Sequence, residues 1–161
     1  MRNIISSMES EYRKYKKLAE LAISQLSDAE LSQPISPGSN AIVTLMWHLS
    51  GNLKSRFTDF LTTDGEKPWR DKKDEFTGRQ VDREELLARW NDGWNTLFDS
   101  LRTLTDSDLA AVVNIVGKPH RVDEALHRSL AHASYHVGQI VYHAKAVRGA
   151  DWKALKTLGK G

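Results

Sequence analysis

The 161-residue sequence contains no cysteine, four prolines and ten glycines. Without cysteine there are no disulfide frameworks, thiol nucleophiles or sulfur-ligated zinc, so a transition-metal centre would have to use imidazole and carboxylate. Neither sign of charge dominates: 23 Lys and Arg against 21 Asp and Glu leave a formal +2. A nucleic-acid partner needs a concentrated cationic patch, and this balance argues against one. No apolar run approaches the roughly 18 residues of a membrane span, and the N-terminal stretch meets Glu9 before a signal-peptide core can form. The expectation is a cytoplasmic protein with no membrane partner. With 40% hydrophobic and 27% charged residues, the composition is that of one compact domain over residues 1–161. A chain of this size buries on the order of 70% of its unfolded surface, so a metal would serve chemistry before stability.

Apolar residues recur at steps of three and four in four windows, which predicts an all-α chain of four helices. The first spans about 3–26, with Ile5, Met8, Tyr12, Tyr15, Ala19, Ala22 and Leu26 on one face. The second spans about 40–61 through Ile42, Met46, Leu49, Leu53, Phe57 and Phe60. Asp82 caps the third, which buries Leu87, Trp90, Trp94, Leu97, Leu101 and Leu104. The fourth spans about 122–148 and ends at Gly149. Between the second and third lies a segment, 62–81, too long for a tight turn and able to travel the length of a bundle. That favours an up-down-down-up four-helix bundle with a long crossover. The β-branched stretch 112–117 is expected to be a small extended segment or part of a bent third helix, and 117–121 a basic turn.

His132 and His136 stand four residues apart in the fourth predicted helix, about 40° apart on one face, so two imidazoles can converge on one ion. Gln139 and His143 continue that sector. Alternatively these histidines are half-buried and hydrogen-bonded to water, tyrosine or carboxylate. Ala133 follows His132 where a His-Glu-x-x-His zinc peptidase carries glutamate, which argues against peptide hydrolysis. The other histidine inside a predicted helix is His48. If the second and fourth helices are antiparallel, His48 and His136 lie about 12 Å and 18 Å from their shared end, within about one turn of the same level. Taken alone, His48 on the flank of its apolar stripe reads as an interfacial histidine before a ligand. Three imidazoles would leave a fourth position open, the arrangement of a catalytic zinc site. Asn52 and Arg56, one and two turns beyond His48, are either substrate contacts or an ordinary polar helix edge.

The stretch from Trp47-His48-Leu49-Ser50-Gly51-Asn52 to Leu61, then Asp64-Gly65-Glu66-Lys67-Pro68-Trp69-Arg70, and His132-Ala133-Ser134-Tyr135-His136-Val137-Gly138-Gln139-Ile140 carry a resemblance to the DinB-like superfamily. That superfamily includes the YfiT-like metal-dependent hydrolases, and the chain is most similar to an uncharacterised bacterial subgroup within it. The resemblance implies an up-down-down-up bundle in which His48, His132 and His136 hold a divalent metal, zinc or nickel, and a homodimer. Relatives include mycothiol-dependent maleylpyruvate isomerase and bacillithiol S-transferases, so it also implies a low-molecular-weight thiol cofactor. The expected function is metal-dependent activation of a thiol or water against a small electrophilic substrate. The rival is a non-catalytic dimeric bundle acting as a metal-binding or stress-related scaffold. Asn52, Arg56, Gln139 and His143 are the candidate catalytic residues.

The alternating run Arg70-Asp71-Lys72-Lys73-Asp74-Glu75 reads as a solvated loop, with Trp69 and Phe76 as a candidate lid. His120 and His127 are expected to face solvent, Trp90 and Trp94 to lie in the core, and Trp152 to pack back on the bundle or on a partner.

Overall fold

The computed structural model describes residues 1–80 and 82–156. Val81, at the end of the predicted crossover, and residues 157–161 of the expected domain lie outside the described residues. Among those described there are six α-helices, four of them long, and one two-stranded antiparallel hairpin.

Helix α1 (Asn3–Ile23) buries Ile5, Met8, Tyr12, Ala19 and Ala22, the predicted stripe, and its first turn is capped from a distance: the Asp106 carboxylate accepts from the Ile4 and Ile5 amides. A Ser27–Glu30 capping box starts the short α2 (Asp28–Ser32). Helix α3 (Ile42–Phe57) is buried nearly all round, as expected of a central helix. It stops short of the predicted residue 61 because Thr58 is extended, its hydroxyl bonds back to the Lys54 carbonyl, and Asp59 turns to φ 48°. Phe60 is buried all the same, packing on Phe57.

The crossover is more structured than its composition suggests. Asp71 accepts from the Lys73 and Asp74 amides to start a one-turn helix, α4 (Lys72–Glu75), so the run read as solvated is partly helical and, at Arg70 and Glu75, buried. Helix α5 (Arg83–Thr103) begins at the predicted Asp82 cap and buries Leu86, where Leu87 was expected, with Trp90, Trp94, Leu97 and Leu101. Gly93 has a steric reason: a Cβ there would stand 2.5 Å from the Ser50 carbonyl oxygen and 2.8 Å from its Cα, so the backbones of α5 and α3 approach directly.

Strands β1 (Val112–Ile115) and β2 (Lys118–Arg121) form the hairpin, and the second strand replaces the turn expected at 117–121. Val116 and Gly117 make its two-residue connection with φ of 55° and 69°, the left-handed pair that matches the twist of the strands. Helix α6 (Val122–Arg148) follows and ends at Gly149, φ 52°. Helix α3 packs on α5 and α6, and α1 on α6 and α5, around one core that includes Trp90 and Trp94. Trp152 packs against it, half-buried. No described helix is long and apolar enough to cross a membrane.

Candidate metal centre

His48 on α3 and His132 and His136 on α6 point their Nε2 atoms at one another. His132 Nε2 lies 3.2 Å from His48 Nε2 and 3.0 Å from His136 Nε2, and the ligating atoms of all three lie within 4.8 Å of one another. The opposite side of two of the rings is fixed. Glu75, an ionised acceptor, takes the His48 Nδ1 proton at 2.9 Å, and the Gln139 side-chain oxygen takes that of His136 Nδ1 at 2.8 Å. In the neutral form each of these rings therefore turns an unprotonated Nε2 inward. One proton on His132 cannot satisfy two facing lone pairs well, whereas a divalent cation satisfies all three. Tetrahedral bonds of about 2.0–2.1 Å place ligand nitrogens about 3.3 Å apart, close to the two separations measured from His132. The residues fit a metal ion.

The electrostatics agree. Burial, reinforced by the neighbouring His136 and His48 rings, pushes the pKa of His132 down to about 3. Burial also lowers that of His136, against the opposing Gln139 bond. Both are neutral imidazoles at pH 7, the form that ligates metal.

Glu75 is the residue the sequence reading missed. Its side chain is 1% exposed and Arg70 grips it with both arms, Nε to Oε1 and Nη2 to Oε2 at 2.8 Å each, while Arg70 is itself only 2% exposed. Burial alone would raise the Glu75 pKa; the Arg70 and then the His48 hydrogen bonds outweigh it and keep the carboxyl ionised. A carboxylate behind a ligating histidine fixes its tautomer and orientation and strengthens it as a donor. Gly51 makes room for this: a Cβ on it would lie 2.2 Å from Glu75 Oε1. A lone glycine in a helical pattern, three residues after His48, was the available signal.

The four candidate catalytic residues separate. Asn52 and Arg56 line a cavity of about 160 Å³ that reaches His132. Arg56 also holds the crossover, donating to the Gly65 carbonyl and to Glu66 Oε2. Gln139 orients His136. His143 is 4% exposed and lies beside the Gln33 backbone, in the interior and not at the three-nitrogen cluster. Of the proposed lid, Phe76 packs its ring on His48 with centroids 4.5 Å apart, while Trp69 lies half-exposed over the Lys54 ammonium. His127 is exposed, as expected, and its ring bonds the Asp123 carbonyl.

A family profile described as "Protein of unknown function (DUF1572)" matches residues 1–161. The chain belongs to the DUF1572 family. A fold similar to that of this DUF1572 chain occurs in the crystal structure of a conserved protein from Enterococcus faecalis, 19% identical, with 92% of this chain and 99% of that one superposed at a TM-score of 0.67. At that identity the likeness concerns the fold alone. No curated protein matches the DUF1572 chain.

Proposed function

We propose that this protein is a divalent-metal-dependent enzyme in which His48, His132 and His136 hold zinc or nickel and activate a low-molecular-weight thiol or water against a small electrophilic substrate. The convergence of three Nε2 atoms, two of them locked in the ligating tautomer, carries the proposal. A structural zinc site is closed by four protein ligands, whereas three protein ligands beside a cavity are the catalytic pattern, which favours the enzyme over the scaffold reading. Such an ion supplies Lewis acidity sufficient to make a water or thiol nucleophilic near neutral pH. The chain's own residues do the rest: Glu75 and Gln139 hold ring protons away from the centre, Phe76 shields His48 from water, and Asn52 and Arg56 offer donors in the adjoining cavity.

The DinB-like assignment belongs to the same proposal, with an up-down-down-up four-helix bundle and a homodimer. The order of contacts supports the topology. Trp47 with Arg89 and Ser50 with Gly93 advance together along α3 and α5, whereas the cavity joins Phe57 to Ala125 and the cluster joins His48 to His132, in opposite order along α3 and α6. Metal analysis of tag-free protein, followed by turnover of electrophiles with and without bacillithiol-type thiols, tests the function. Turnover abolished by chelation and restored by metal is expected; a metal-replete protein inert with every thiol and with water overturns the enzyme reading.

A further inference from the structure

We propose that the cavity beside His132 binds a small organic oxyanion, a carboxylate or phosphonate on a compact apolar body. As the substrate site, this rests on the metal-centre reading; as a binding site, it stands on the cavity alone.

The polar wall of the cavity consists of Asn52, Arg56, Arg128, Ser129 and His132, with no carboxylate among the lining side chains. The groups facing it are in excess as hydrogen-bond donors. Arg128, exposed at the mouth, makes no ion pair among the described residues, and Arg56 is half-committed to Glu66. Ser129 Oγ is buried with no hydrogen bond of normal length, its neighbour being the Tyr12 hydroxyl, which donates to the Leu126 carbonyl at 2.9 Å. His132 Nδ1 is likewise buried and unpartnered. With a metal on Nε2, Nδ1 carries the ring proton and is then a donor without an acceptor. Unanswered buried donors are unfavourable, and an oxyanion answers several at once through charge-assisted bonds to planar guanidinium forks.

The opposite wall is apolar: Phe57, Phe60 and Ile115 are each largely buried and line the same space. At about 160 Å³ the cavity equals roughly five waters of liquid volume, room for a ligand of roughly ten non-hydrogen atoms. A second cavity on the far side of Glu75 lacks this polarity. There Lys54, Arg70 and Arg89 are offset by Asp71, Asp74, Glu75 and Asp92, so it does not select for an anion.

Isothermal titration of the tag-free full chain, metal-free and zinc-loaded, with benzoate, phenylphosphonate and the neutral isostere benzamide tests the site. At least one of the two anions is expected to bind at least about tenfold more tightly than benzamide, and comparison of the two arms identifies which oxyanion the site prefers. Arg128→Gln is expected to lose about tenfold or more of that affinity and Arg128→Lys to recover part of it, with zinc stoichiometry unchanged in both. Benzamide binding as well as both anions, or anion affinity indifferent to Arg128→Gln, overturns the proposal. Anion selectivity in a protein that takes up no zinc removes the metal reading and leaves the oxyanion site standing; zinc uptake without anion selectivity does the reverse.

Discussion

Glu75 Oε2 accepts the Nδ1 proton of His48 across 27 residues of chain, so the crossover reaches the back of an imidazole whose front faces two others. Glu75→Gln keeps the shape and removes the charge. Metal affinity, measured by competition with a chelator, is expected to fall about 10–100-fold, the usual consequence of losing a carboxylate behind a ligating histidine. Glu75→Ala additionally strands the buried Arg70 guanidinium, and denaturant unfolding is expected to lose about 3–5 kcal/mol. An unchanged affinity in Glu75→Gln would remove Glu75 from the site.

Gly51→Ala separates helix propensity from close packing. Propensity alone favours alanine by about 1 kcal/mol inside a helix. The new methyl would instead meet Glu75 Oε1, which cannot swing aside while Arg70 and His48 hold it. The expected outcome is a lower melting temperature and a loss of metal affinity approaching that of Glu75→Gln. A more stable variant with intact metal binding would contradict the close approach.

His132→Ala and His143→Ala distinguish a ligand from a neighbour on the same helix face. Elemental analysis is expected to find about one ion per chain in the parent protein, little in His132→Ala, and the parental content in His143→Ala, whose ring lies beside the Gln33 backbone. Equal metal content in all three would refute the triad.

The histidine cluster was legible because its geometry is helical and local. The spacing of His132 and His136 fixes their shared face; depth in an antiparallel pair only made His48 compatible with it, and the family resemblance supplied the assignment. Gln139 was legible for the same reason, one turn from His136. Glu75 was not, because its partner is set by how a 62–81 crossover folds back on α3, and an alternating charge run carries the same composition whether solvated or paired. The Asp71 cap and the glycine at position 51 held the missing information, each meaningful only once a carboxylate was known to approach. The second strand was hidden similarly: Lys118-Pro119-His120-Arg121 has little strand character, and it is the left-handed pair Val116 and Gly117 that turns it back on β1.

Asp64 ties the crossover to the hairpin, accepting from the Glu66, Val116 and Gly117 amides, and those bonds lower its carboxyl pKa. A carboxyl depressed in the folded state contributes stability that is fully present above its unfolded value, about 3.9, and is lost as pH falls through the folded value. Asp64→Ala should therefore be less stable than the parent at neutral pH, with the gap closing in the acid range. Denaturant midpoints measured at intervals down to pH 3 check this; a gap independent of pH would exclude the carboxylate as its source.

His48 and His132 are separated by 84 positions, with the crossover, α5 and the hairpin between them. An ion joining the two rings would act on the unfolded chain as a reversible cross-link, and closing a circuit of that length removes disorder worth on the order of 4 kcal/mol by the reckoning used for disulfides. Conditions that reduce sulfur bridges would leave such a clasp untouched, and a chain with no cysteine would gain through its imidazoles a brace that answers to metal supply and not to thiol redox state.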